Sequence, residues 1–569
     1  MLVIRLIGQP RIERDGEHVA GPRGNKTWAL LARLVRSSEP VSRQRLVDEL
    51  FCEADDPFGA LRWSLAELRR RTGLTDAFRG DPISGELGDD TVLDVTELTS
   101  GAIPDDIPEG EFLEGVEIGS SAGFETWLLV ERLRVAGEVS SCLRQATLRA
   151  LSGRDFARAL TCGAAMVHRN PLDEGCHVLL VKALALSGDA EAALRQVEAS
   201  EDFFRRELGV EPTAAIRAAA RPGVASAVPG VSARASAESL RDAALAALSA
   251  GAADAGIECL RGATAAAETA GDTGLLSECL MELGSALVHS IRGYDDEGSV
   301  VLEQAISAAT DAGAQTVAAK ALSELGYVDM LAGRRHSATR NLSAAADLAG
   351  TDGALVAALA GFEAMNLSDW GKTSQAADRF FEAVELSRAA GIVRREAWSL
   401  GIGARTLFIE GRLDEAAEWA RRSTELARQE QWTAFRPWPE TWAAHVRLAR
   451  SESPAAVRSS AEATYTLARQ LQDPCWEGIG AKLLALTYLA ANDYETAMVW
   501  MDNASTSCRR VTDAYTWVGV EILIAEAAAA HDAGDHERAE AAAHRAMSEA
   551  ASGNMDGLLA DARTILETP

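Results

Sequence analysis

Turn-forming residues recur at Gly251, Gly293, Gly333, Gly371, Gly411, Glu452, Asn492 and Gly534, 38 to 42 residues apart, in a stretch rich in alanine and leucine. A helical chain broken at one fixed interval of this length buries its apolar faces by stacking hairpins, because a single hairpin leaves one face uncovered. An alanine stands five places after most of these turns, at Ala338, Ala376, Ala416, Ala497 and Ala539. A small side chain there lets the second helix of each hairpin approach the first. Residues 236–569 are therefore expected to form an α-solenoid, in which the alanines serve packing and not chemistry.

With 569 residues the chain is too long for one core, and 84 acidic against 56 basic side chains give a formal net charge of -28. Such a molecule repels phosphate overall, so contact with nucleic acid requires a local cluster of cations. The eight cysteines lie far apart with no Cys-x-x-Cys pair, and the nine histidines are scattered, which argues against a disulfide framework and a metal site. Neither a signal peptide nor a membrane-spanning apolar run is visible, so a reducing cytoplasm is the expected compartment. No cofactor, metal or membrane partner is expected.

The cations cluster in one place. Asp56-Pro57 suits a helix start, and Leu61, Leu65 and Leu68 follow at four- and three-residue steps, which puts one apolar stripe on a helix. Arg62, Ala66, Arg69 and Arg70 fall on or beside the other side. Upstream, 2–7 and 11–14 read as short strands, broken by Gly8-Gln9-Pro10 and closed by the Asp15-Gly16 turn. Residues 26–35 read as a helix and 41–51 as a second one, capped by Ser42. Downstream, 81–95 reads as two short strands around glycine and aspartate turns. Strands, three helices and a hairpin are the order of a winged helix, an α+β fold, over 1–100.

These residues also resemble a known family. The Gly-x-Pro-x-Ile-x-x-Asp-Gly opening from Gly8 to Gly16, Ala29-Leu30-Leu31-Ala32, Arg45 through Phe51 and Leu61 through Arg70 resemble the winged helix of actinobacterial antibiotic-regulatory-protein-type (SARP) activators. The resemblance implies that the third helix enters the major groove, with Arg62, Ser64, Arg69 and Arg70 facing DNA and Lys26, Arg43 and Arg45 contacting phosphate. One departure stands out: the expected wing carries Asp81, Glu86, Asp89 and Asp90, with no Lys or Arg after Arg79.

In 101–221, turns at Gly153-Arg154-Asp155 and Gly188-Asp189 lie 35 residues apart, close to the tetratricopeptide period. The strings Gly110-Glu111-Phe112-Leu113-Glu114-Gly115, Phe124-Glu125-Thr126-Trp127, Pro171-Leu172-Asp173-Glu174 and Glu207-Leu208-Gly209-Val210-Glu211-Pro212 resemble, in the same order, the bacterial transcriptional activator domain (BTAD) that follows the winged helix in that family. Small residues from Pro222 to Ser232 read as an exposed joint, with the linker placed at 222–235, so that residues up to about 221 are expected to fold without the solenoid. The repeats beyond resemble the superhelical sensor regions of large bacterial regulators. The fold class is accordingly mainly α: a winged helix, an all-α tetratricopeptide-like domain at 101–221, and an α-solenoid of helical hairpins at 236–569.

Trp370-Gly371-Lys372-Thr373 looks like the end of a phosphate-binding loop, but Asn366 stands where that signature needs glycine, and the segment falls on a turn between helices. No nucleophile elbow or catalytic constellation is present, and the chain is not expected to be an enzyme. Nine of the twelve tryptophans lie between Trp370 and Trp517. Large rings filling an alanine-rich array would concentrate in this way too, so packing and binding both stay open. Pro437 and Pro439 are expected to leave a rigid, partly exposed loop, which makes Trp432, Arg436, Trp438 and Trp442 the candidate ligand site. The expected function is a DNA-binding transcriptional regulator, an activator by resemblance. Its expected partners are promoter DNA and RNA polymerase, with a small-molecule or peptide effector at the repeats and a second copy of the chain as further candidates. The rival is a tetratricopeptide scaffold that does not bind DNA.

Overall fold

In β1 (Leu2–Arg5) every second side chain is buried, as a strand with one covered face requires. It pairs antiparallel with β2 (Arg11–Arg14), which pairs with β3 (Glu17–Val19) across Asp15 and Gly16, both at positive φ (52° and 85°). Three helices follow, α1 (Asn25–Val35), α2 (Arg43–Leu50) and α3 (Pro57–Thr72). Ser42 caps α2 by accepting the Arg45 amide. The computed structural model of the chain describes all residues except 38, 89, 101–108, 119–121, 221–231, 250, 251, 512, 568 and 569. It divides into two compact units, Met1–Leu143 and Arg144–Pro569.

The expected wing is not a simple hairpin. Ile83 exchanges backbone hydrogen bonds with Val41, at 2.8 and 2.9 Å, while β4 (Thr91–Leu93) adds to the sheet parallel to β1, giving the order β3-β2-β1-β4. The reason is the free edge of β1, which takes up the apolar Val92 and Leu93. Asp94, the first residue of α4 (Asp94–Ser100), fixes that edge by accepting from the Leu6 and Ile7 amides. Of the four acidic wing residues, Asp81, Glu86 and Asp90 are exposed or partly so, and Asp89 lies outside the described residues. The long α5 (Ala122–Ser152) begins in the first unit, where Arg36 at the end of α1 pairs with its Glu131 and Glu138, each at 2.9 Å.

From Arg144 onward, every element in the described residues is helical. Turns at Gly293, Gly333, Gly371, Gly411 and Gly534 all have positive φ, and Ser451 and Asn492 take the same conformation at the corresponding turns. Gly251 and the joint from Pro222 to Val231 lie outside the described residues. A second set of positive-φ residues, at Gly271, Gly313, Gly350, Gly391, Gln431, Gln472 and Asn554, links one hairpin to the next. Thus the 40-residue period is two helices with a short turn after each. The alanines five places past the turns are buried, Ala338, Ala376, Ala416 and Ala497 fully and Ala539 to 4% exposure. Glycine does the same for the facing helix: a Cβ on Gly403 would stand 2.4 Å from the Trp419 ring.

Residues 144–219 pack as part of this second unit. The helix Glu174–Leu186 lies against Asp295–Ala312, and the buried Arg144 pairs with Asp296 at 2.5 Å and donates to Ser299 at 3.0 Å. By contacts, these helices group with the repeats and not with Met1–Leu143.

Candidate nucleic-acid interface and repeat cavity

The α3 helix starts and stops where its sequence dictates. Asp56 accepts the Gly59 amide at 2.8 Å, Pro57 occupies the first turn, and Gly73 closes the helix at φ 74°. Leu61, Leu65 and Leu68 are buried, and the helix packs on α1 and α2. The opposite face exposes Phe58, Arg62, Trp63, Ala66 and Arg70, with Trp63 55% exposed. Arg62 reaches only a loose contact with Asp56 at 3.4 Å. Trp63 was not singled out from the sequence, although its place one residue past Arg62 and off the leucine stripe was the available signal.

The other candidates divide. Ser64 is 3% exposed, one position inside the apolar stripe, so its placement toward DNA is corrected to a buried residue. Arg69 is half-buried and donates to the Phe78 carbonyl at 3.1 Å. Arg70 and Arg71 both bind Glu67, and the hydrogen bonds from Arg71 and then Arg70 hold its carboxyl down at about 2. Arg43 donates to the Gly80 carbonyl at 2.9 Å, and Arg45 pairs with Glu49 at 2.7 Å. Lys26 sits half-buried in the first turn of α1. Arg62 and Arg70 are thus the exposed cations of that face, beside Phe58, Trp63 and Ala66.

In the second unit, Pro437 and Pro439 stand in the first turn of the helix Pro437–Ala449, where proline lacks no needed donor, so the expected loop is instead a helix start. Trp438 and Trp442 are 0% and 1% exposed, and Trp438 donates its indole N–H to the Gly401 carbonyl at 2.9 Å. Both are core. Arg436 pairs with Glu440 at 3.0 Å. Only Trp432 of the four lines open space: a cavity of about 830 Å³. Its aromatic walls are Tyr327, Phe362, Trp398, Trp432, Phe435 and Trp476.

Charged groups also face this cavity. His289 pairs with Glu324 at 2.6 Å and Arg292 with Asp473 at 2.6 Å. Arg394 lies 3.8 Å from Glu430 and over the Trp432 ring. Arg395 has no carboxylate within ion-pair distance among the described residues; its guanidinium lies 5.0 Å from the Phe362 ring centroid and 5.7 Å from that of Trp398. Desolvation pulls Arg395 below its ordinary value, opposed by attraction to Glu324. Behind Tyr515, which also lines the cavity, Arg335 and Arg405 share the single carboxylate of Asp369 at 3.2 and 2.6 Å, all three fully buried. The Tyr515 hydroxyl donates to Asp369 and accepts from Arg405.

Residues 108–222 match the family model described as the bacterial transcriptional activator domain. The chain carries a bacterial transcriptional activator domain. A sheet-and-helix unit precedes it in the chain and helical repeats follow it. Within the activator domain the recurring strings are structural. Asp173 caps its helix by accepting the Gly175 amide at 2.9 Å, and Glu174 accepts the Thr213 amide at 2.9 Å, which ties the Pro-Leu-Asp-Glu string to the chain just past Pro212. Trp127 packs on Phe112 and Phe124, with centroids 6.5 and 5.2 Å apart. Gly209 ends the helix Ala190–Leu208 at φ 68°.

Several solved structures have partial similarity to the chain. Mycobacterium tuberculosis EmbR in complex with a low-affinity phosphopeptide is 17% identical over 38% of this chain and 64% of that one, with a TM-score of 0.27. A Rap protein complexed with competence and sporulation factor is 11% identical over 76% of this chain and 100% of that one, TM-score 0.36. Aspartyl phosphate phosphatase F from Bacillus subtilis is 9% identical over 72% and 94%, TM-score 0.38. The chain thus spans less than two thirds of the EmbR chain. No curated protein matches it in sequence. Among the described residues no helix is long and apolar enough to cross a membrane.

Proposed function

We propose that the chain regulates transcription by laying α3 in the major groove of promoter DNA, with the activator domain contacting RNA polymerase and the repeats sensing an effector. The observation that carries this reading is the exposed face of α3, where Arg62 and Trp63 stand exposed on a capped helix whose other face is core. A guanidinium suits a guanine edge and an exposed ring suits a thymine methyl, the two kinds of contact that read sequence in the groove. Arg43 and Arg45, on the preceding helix, supply charge for phosphate at the cost of their present intramolecular contacts. The first hundred residues hold nearly equal numbers of basic and acidic side chains, so the affinity must come from placement and from pairing of two copies on tandem half-sites.

The test is selection of bound DNA from a random pool by the full chain, followed by titration of the selected site at fixed salt. Arg62→Ala should weaken binding by about 1 to 3 kcal/mol and relax preference at one base position. Trp63→Ala should also weaken it, with folding unchanged for both, because both side chains are exposed. Failure to enrich any sequence would leave the scaffold as the better reading.

A further inference from the structure

The cavity in the repeats combines features that a packed solenoid does not need. Rings from several hairpins face one space, and its size falls in the usual range of small-molecule sites, about 300 to 1,000 Å³. Around it the charges are matched in pairs, His289 with Glu324 and Arg292 with Asp473, except for Arg395. A half-buried arginine beside two aromatic rings, with Glu324 near but no carboxylate within ion-pair distance, leaves a partly desolvated cation facing the space. Behind Tyr515, another lining residue, two buried guanidiniums, of Arg335 and Arg405, share the one carboxylate of Asp369, and Arg405 also donates to the Tyr515 hydroxyl. Asp513 also lines the cavity, but its carboxyl accepts the Gly293 amide and is attracted to Arg292, and it is not among the groups acting on Arg395.

We propose that this cavity is the effector site of the repeats and that its ligand is a planar aromatic anion, a multi-ring organic acid whose acidic group pairs with Arg395 while its rings stack among Phe362, Trp398, Trp432 and Trp476. The proposal rests on the sensing role given to the repeats above. A small molecule fits better than a peptide segment, since the walls carry stacked rings and one unmatched charge and no row of backbone-reading amides.

The experiment uses the full chain and two probes of one ring system, the anionic 8-anilinonaphthalene-1-sulfonate and the neutral N-phenyl-1-naphthylamine, with quenching of tryptophan emission as the readout. One saturable site per chain is expected, with the sulfonate preferred. Arg395→Met should weaken the sulfonate probe at least tenfold and leave the neutral probe within twofold, and the variant should melt no lower than the parent, because it removes an unpaired cation from a desolvated position. Arg395→Lys should keep part of the preference. Ala434→Trp, which fills the mouth from an exposed position, should exclude both probes. Equal sulfonate affinity in parent and Arg395→Met, or binding that never saturates at one site, overturns the proposal, as does a large fall in melting temperature for Arg395→Met, which would make the residue structural. Promoter binding is measured separately with and without probe: one-site binding that leaves DNA affinity unchanged removes the sensing role and leaves the cavity's ligand class standing.

Discussion

Arg395 and Arg405 show how neighbouring residues of one type come to differ. Arg405 is fully buried yet has Asp369, Ser368 and Tyr515 as partners, so its charge is matched by a carboxylate and directed hydrogen bonds. Arg395 faces open space beside two rings, with no carboxylate within ion-pair distance among the described residues, which is why the proposed ligand pairs with it. Burial of a carboxyl beside another has the opposite effect on protonation. Burial, and then the Asp513 carboxylate, push the Asp295 carboxyl well above the usual carboxylate range, and one of its oxygens has no protein partner. Between the ordinary carboxyl value and the raised one, the folded chain holds a proton that the unfolded chain releases. Stability therefore falls as pH rises through that window. Asp295→Asn should flatten the fall in melting temperature between about pH 5 and 8 and make the variant the more stable form at the upper end. A melting profile with the parent's slope would show that Asp295 is already ionised in the folded chain.

At the scale of elements, the helix Pro437–Ala449 shows how much local sequence can say. Two prolines and three tryptophans within eleven residues look irregular, but both prolines occupy the first turn, where their missing N–H groups cost nothing and their fixed φ favours a helix. Whether Trp438 faced a ligand or the core depended on what lay opposite, and Gly401, 37 residues away, supplies the accepting carbonyl. Trp438→Ala should therefore lower stability by roughly 3 to 5 kcal/mol in denaturant titration. Trp432→Ala, at the cavity wall, should cost much less. Equal losses for the two would mean that Trp432 is packing as well. In α3 the apolar stripe was plain from the leucine spacing, yet Ser64 turned out buried, because a stripe on a helix is wider than the leucines that mark it.

At the scale of the molecule, the helices of 144–219 belong to the same compact unit as the repeats. Removing the repeats would uncover Arg144, Lys182 and the face of Glu174–Leu186 that meets Asp295–Ala312. A fragment of residues 1–221 should be digested by protease within 144–221 at concentrations that spare the full chain there. A fragment that resists and melts in one transition at the full chain's temperature would show that the activator domain closes its own core. The sequence by itself determined the helix starts and stops, the 40-residue hairpin period, the alanine seam and the activator-domain strings, because each rests on residues within a turn or two of one another. Only the tertiary structure decided that β4 joins β1, that Ser64, Trp438 and Trp442 are core, and that Asp369 and Tyr515, 146 residues apart, share a hydrogen bond beside the cavity that Arg395 lines. Those outcomes depend on how successive hairpins stack, and stacking brings together residues whose distance along the chain carries no periodic signal.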